Sequence, residues 1–373
     1  METKEQGAPG KIVHAPGRAL AVRSAALVAR GLRDLARDSN WAVRKVFSGQ
    51  AAHVGISSAG LVAAISAAAQ SGTPQLGVYD AENAVTGIAL PVPNAPPFCP
   101  PNLPASLAWS PDARTLAAAW GGWQPKLHIF DWQARALAGV FGAFANVPRD
   151  LVWSEDGKYF AAASGGKKAS LRVWRAAAGG ETVISGTPTG ELGIPDCIER
   201  QTYEAEFGDD GAFSGYGSTA FSPDGKLLAS VMQIQGEWAD DSILVADVPG
   251  MRKQTAAQAQ GHITSLTWTP DGRELVYCAA GQAYRLALDA RESTLLPAAA
   301  EMCACHPHLP VCLCFTSWVK DSPTGRLFLL DLNRMSVYDE HPAEGVSHMR
   351  WSADGSKAYA ISRDGLAYIY EPL

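Results

Sequence analysis

Apolar residues along this chain come in short runs that alternate with polar ones, and each run is cut by Pro, Asp or Gly. One phrase punctuates the pattern five times. It reads Leu107-Ala108-Trp109-Ser110-Pro111-Asp112, then Leu151-Val152-Trp153-Ser154-Glu155-Asp156-Gly157, then Thr219-Ala220-Phe221-Ser222-Pro223-Asp224-Gly225. Leu266-Thr267-Trp268-Thr269-Pro270-Asp271-Gly272 and His348-Met349-Arg350-Trp351-Ser352-Ala353-Asp354-Gly355 complete the set. An alternating stretch leads into each phrase and a second leaves it, as at Leu116 to Ala119, Tyr159 to Ala163, Leu227 to Met232, Glu274 to Cys278 and Lys357 to Ile361. A third follows a variable loop, for example Leu127 to Asp131, Leu171 to Trp174, Ile243 to Asp247 and Ala367 to Tyr370. Such runs predict β-hairpins. Pro presets the first turn angle, Asp bonds its own turn backbone, and Gly takes the positive φ where a side chain would clash.

A fourth run, such as Ala84 to Leu90 or Glu181 to Ser185, makes four strands per unit at a spacing of roughly 40–50 residues. Four strands at that period predict the blade of a β-propeller. Two less obvious units keep the pattern. Residues 51–90 place Ile56-Ser57-Ser58-Ala59-Gly60 in the turn, and residues 301–341 place Cys305-His306-Pro307-His308-Leu309-Pro310 there. The chain thus predicts an all-β fold of seven four-stranded antiparallel blades. The last unit ends after three strands, and Trp41 to Phe47 is expected to supply the missing outer strand and close the ring.

Over roughly residues 41–373 the repeats resemble the WD40 family. Gly261-His262 matches the family's Gly-His pair, while its Trp-Asp is replaced by Phe-Asp, Trp-Arg or Ala-Asp. The resemblance implies a non-catalytic scaffold that assembles protein partners.

Antiparallel order places first-to-second and third-to-fourth connections on one face, and second-to-third connections and blade-to-blade links on the other. The long insertions are expected on the second face: Pro91 to Pro104, Trp120 to Lys126, Ser185 to Gly217, Gln233 to Ser242 and Val319 to Arg326. Loops on a rigid scaffold carry function, so this face is the expected docking surface. Its candidate contacts are Trp120, Trp123 and Trp238, together with the acidic residues Glu199, Glu204, Glu206, Asp209 and Asp210. The proline-rich stretch from Pro91 reads as a stiff spacer between blades.

Charge adds a second part to the molecule. Residues 1–47 carry a balance of +5, while the whole chain of 373 residues carries −6. The chain is therefore read as a basic arm, residues 1–40, before an acidic propeller, residues 41–373. Leu20, Leu27, Val28, Leu32 and Leu35 recur near helical spacing among Arg18, Arg23, Arg30, Arg33 and Arg37, which predicts a short helix. It is expected to dock on the acidic propeller, with peripheral membrane contact as the lesser reading. The net charge argues against nucleic acid as a partner. No run of about 18 apolar residues predicts a membrane span. Seven cysteines without a disulfide-framework spacing point to a reducing compartment, so the expectation is a soluble cytoplasmic protein.

Candidate chemistry is sparse. Cys303, Cys305, His306, His308, Cys312 and Cys314 have zinc-ligand character. Repeat alignment reads them otherwise. Cys303 falls where Leu107 and Leu151 fall, and Cys305 falls where Trp109, Trp153 and Trp268 fall. Cys312 takes the place of Leu116 and Phe160, and Cys314 that of Ala118 and Ala162. The thiols are therefore expected to act as small core residues, with His306 and His308 exposed in the turn. No metal or cofactor is expected. The phrase aspartates sit one to a blade and do not form the converging pair that acid–base catalysis needs. A competing reading, a hydrolase or lactonase-like propeller enzyme, would require His, Asp or Glu from several blades at the mouth of the central channel. Phosphoinositide-binding propellers carry paired arginines, whereas Arg334, Arg350 and Arg363 stand singly.

Overall fold

The computed structural model describes residues 39–66, 76–83, 88–90, 106–120, 125–141, 144, 146–165, 169–175, 190–192, 213–234, 240–248, 250–317 and 324–372. The strands form seven sheets of four, each meandering from an inner first strand to an outer fourth. The fold is a seven-bladed β-propeller. Blades 1 to 6 span residues 51–90, 106–141, 148–192, 213–258, 263–295 and 302–343. Blade 7 takes three strands from the chain's end, Val346–Trp351, Ala358–Ser362 and Leu366–Pro372. Its outer strand, Ser39–Lys45, comes from the beginning of the chain and pairs antiparallel from Ser39 opposite Pro372 to Lys45 opposite Leu366.

Seven apolar clusters hold the ring, one at each seam between neighbouring blades. Both faces of each sheet are therefore buried. That explains why the second strands read as continuous apolar runs. In blades 2 and 3 the second strands, next to the inner ones, pack with small residues: Ala117 to Ala119 and Ala161 to Ala163 are fully buried. Farther out the seams widen and the third strands supply Phe130, Trp174 and Phe328.

The repeated phrase is a hydrogen-bonded turn. In blade 4 Ser222 Oγ donates to Asp224 Oδ1 at 2.7 Å and accepts Leu227 N–H at 3.0 Å, while Asp224 Oδ1 accepts Lys226 N–H at 3.1 Å. The same three bonds recur at Ser110, Ser154, Thr269 and Ser352. Each turn glycine sits near φ +70°, at 68° for Gly157 and 74° for Gly355. Ala113 holds 55° in blade 2, where it carries the Cβ penalty of about 1 kcal/mol. Replacing Ser222 with Ala strands the part-buried Leu227 N–H donor. Urea unfolding should show a loss of about 1–2 kcal/mol.

Three expectations need correction or fall outside the description. The outer strand of blade 3 is Gly190–Leu192, not Glu181 to Ser185, because Gly190–Leu192 occupies the free edge of Leu171–Val173. The connection through 176–189 thus falls on the face expected to be plain, and the long link of the opposite face is 193–212. The proposed helix of residues 17–40 and the basic arm lie outside the described residues, apart from the start of the strand at Ser39.

Candidate functional site

The seven first strands surround a channel of about 730 Å³. Its wall is apolar where Leu107, Leu151 and Leu266 stand, and hydroxylated where Thr219, Thr264, Ser265 and Thr267 stand. Bulges interrupt the first strands of blades 1, 3, 4, 5 and 7 near their starts. A bulge re-aims the side chain beside it. In blade 3 the bulge lies between Pro148 and Asp150, and Asp150 crosses to blade 4. There its Oδ2 accepts Thr219 N–H at 2.7 Å, while Oδ1 accepts Leu151 N–H at 2.9 Å. Burial pushes this carboxyl up to about 7, against the pull of both donors.

Arg350 does more than sit singly. From blade 7 its guanidinium reaches the carbonyl of Trp109 in blade 2 at 3.4 Å and the carboxylate of Glu155 in blade 3 at 3.4 Å. Blades 7 and 3 are not neighbours, so the side chain spans the channel at its turn-bearing end. His348, also lining the channel, accepts Ile56 N–H on Nδ1 at 3.3 Å, and burial lowers its imidazole to about 4. Asp150, Arg350 and His348 are thus each bonded across blades, in the way that ties a ring together. Sequence reasoning passed over Asp150 because one polar residue in an alternating strand looks ordinary.

The cysteines lie at the seam of blades 5 and 6. Cys303 is opposite Cys314 and Cys305 opposite Cys312, so all four share one face, with Cys278 of blade 5 in the same cluster. They pack among Val276, Ala283, Phe328 and Leu330, as repeat alignment had indicated. Among the described residues no group of three or more His, Cys, Asp or Glu has the arrangement of a metal site. His306 departs from expectation, because it is buried. It stands in the position of the turn serines and bonds the turn backbone in their place, since Nδ1 accepts the N–H groups of His308 and Leu309 at 2.9 and 3.0 Å. The ring packs on Trp351 at 4.6 Å, and burial lowers its pKa to about 4. His308 is exposed, as expected.

The Gly261-His262 pair forms a further link. Asp241, buried between blades 4 and 5, lies 3.2 Å from His262 Nδ1 and accepts Ile263 N–H at 2.8 Å. Trp120 ends the strand Thr115–Trp120, of which only the backbone is described there. Trp123, Trp238, Glu199, Glu204, Glu206, Asp209 and Asp210 lie outside the described residues.

Comparison with known proteins gives a likeness of fold alone. No family profile matches the sequence, and no curated protein is significantly similar to it. A chain of a mitotic checkpoint complex superposes with a TM-score of 0.60 at 12% identity, covering 100% of this chain and 98% of that one. The hydrazine synthase of Kuenenia stuttgartiensis gives 0.60 at 15% identity, covering 87% and 96%. The Cps50 (Swd1) beta-propeller domain of Myceliophteria thermophila gives 0.59 at 15%, covering 88% and 99%. One of the three is named for an enzyme and one for an assembly, so the fold is compatible with either. No helix among the described residues is long and apolar enough to cross a membrane.

Proposed function

We propose that this protein is a non-catalytic scaffold that binds a protein partner through the face carrying the links 91–105 and 193–212 and the hairpin loops 121–125 and 235–241. The observation that supports it most is the commitment of the channel's polar groups. Asp150, His348 and Arg350 each hold a neighbouring or opposite blade, which leaves the channel built for rigidity more than for chemistry. A rigid ring with elaborated loops is how scaffolds present function. Superposition on a chain of a mitotic checkpoint complex agrees with that reading. Trp120, Trp123 and Trp238 would supply the apolar anchors, and Glu199, Glu204, Glu206, Asp209 and Asp210 the attraction for a basic partner surface.

The test compares the full chain with a variant lacking 193–212, which spares the outer strand of blade 3, as bait for partners identified by mass spectrometry. A partner retained only by the full chain, and released as salt is raised, is the expected result. Identical sets of retained proteins, with both baits folded, would sink the proposal.

A further inference from the structure

Cys305 stands where blades 2, 3, 5 and 7 carry Trp109, Trp153, Trp268 and Trp351. An indole there fills the inner end of a seam, and in blades 5 and 7 its Nε1 also donates to the preceding blade, at Ala220 O and Ala304 O, both at 2.9 Å. A thiol is far smaller. The seam of blades 5 and 6 therefore opens onto the channel at this point, with Cys305 partly exposed on the channel wall and Cys312 fully buried behind it.

The two sulfurs touch at 3.5 Å. Their residues face each other directly across the first and second strands of blade 6. His306 N–H donates to Val311 O at 2.8 Å, which makes 306 and 311 a hydrogen-bonded pair and 305 and 312 the non-hydrogen-bonded pair beside it. Cα atoms in such a pair lie about 4.5 Å apart, inside the window of about 4.4–6.8 Å that a disulfide spans. Closing the sulfurs needs side-chain rotation and no strand movement. The neighbouring thiols differ in access. Cys303 contacts Cys278 and Cys312, and its Sγ lies 3.6 Å from both Ser265 Oγ and Val276 O. Cys303, Cys312 and Cys314 are buried, and Cys305 alone of the four strand thiols is partly exposed to an incoming oxidant.

We propose that Cys305 and Cys312 form a disulfide when hydrogen peroxide enters the central channel. Cys305 loses its proton to solvent, and its thiolate attacks one peroxide oxygen. The O–O bond breaks, giving a sulfenic acid and hydroxide, which takes up the released proton as water. Cys312 then attacks the sulfenic sulfur, its proton leaves with the departing hydroxyl as a second water, and the S–S bond forms. Two thiols are oxidised and one peroxide is reduced. The bond would pin the turn bearing His306 and His308 and reshape one wall of the channel.

The test uses the full chain with Cys99→Ser and Cys197→Ser, so that only the five clustered thiols remain. After one equivalent of peroxide the intact mass should fall by two hydrogens, and dithiothreitol should restore it. Fragmentation should place the link between Cys305 and Cys312. Adding C305S should slow the loss of thiols at least about tenfold, whereas C312A should leave Cys305 to gain one oxygen with no link, since the first change removes the attacking thiol and the second the resolving one. The proposal is overturned if the parent shows a link between any other pair, oxygen addition without a link, or five thiols left intact. Fragmentation of the parent decides the matter even if a variant fails to fold.

Discussion

A chain lacking residues 1–45 is expected to melt at least about 10 °C below one lacking only residues 1–38, because the two differ by the strand that closes the ring. That strand pairs along its whole length with Leu366–Pro372. Its Trp41 lies 5.4 Å from the His341 ring of blade 6, stacked, and 5.0 Å from Tyr370 of blade 7. Losing one such aromatic from a packed site costs about 3–5 kcal/mol by itself. The deletion also strips a ladder of backbone bonds and leaves the third strand of blade 7 as an open edge. Exposed edges recruit other chains. The shorter chain should therefore also aggregate near its transition, visible by light scattering alongside calorimetry. Equal melting temperatures for the two truncations would mean that blade 7 is stable with three strands, and ring closure would lose its energetic role.

The same logic shows what could be read from sequence and what could not. The turn phrase was legible because Ser, Asp and Gly each do a backbone job that other residues do poorly, so their spacing survives in five blades. Blade 6 was legible despite lacking the phrase, since Cys303 and Cys312 fill the slots of apolar residues at a seam. His306 was misjudged as exposed. Its alignment with Ser110, Ser154 and Ser352 held the clue, because an imidazole nitrogen can accept turn N–H groups as a hydroxyl does, here those of His308 and Leu309 rather than the one five residues on. The outer strand of blade 3 was misplaced for a different reason. This outer strand is three residues long and makes one ladder only, so several polar stretches satisfy the pattern equally well. Cross-channel bonding was invisible altogether. The reach of Arg350 to Glu155 depends on ring curvature, and the turn of Asp150 toward Thr219 depends on a bulge that leaves no signature in residue type.

Asp150 carries the second large expectation. Its carboxyl is raised from an ordinary value of 3.8 to about 7, so the folded protein keeps a proton that the unfolded chain gives up above pH 4. The stability linked to that proton is fully present below about pH 4 and is lost as pH rises through 7. Three buried histidines act in the opposite sense. His128, His306 and His348 are lowered to about 4, so the unfolded chain takes up protons between about pH 4 and 6.5 and acid destabilises the fold. The wild-type profile should therefore rise toward neutrality and decline gently above it. The Asp150→Asn variant separates the two contributions, for it keeps an acceptor toward the bulge and removes the titration. Between pH 5 and 8 its stability relative to wild type should climb by on the order of 2 kcal/mol, a figure trimmed for the side of the carboxyl that faces the channel. Urea midpoints at the two pH values measure the difference directly. Parallel profiles for wild type and variant would show that Asp150 is already ionised in the fold, held by Thr219 and Leu151 strongly enough to offset its burial. The seam between blades 3 and 4 would then be fastened by a charge at neutral pH, and raising the pH would leave it intact.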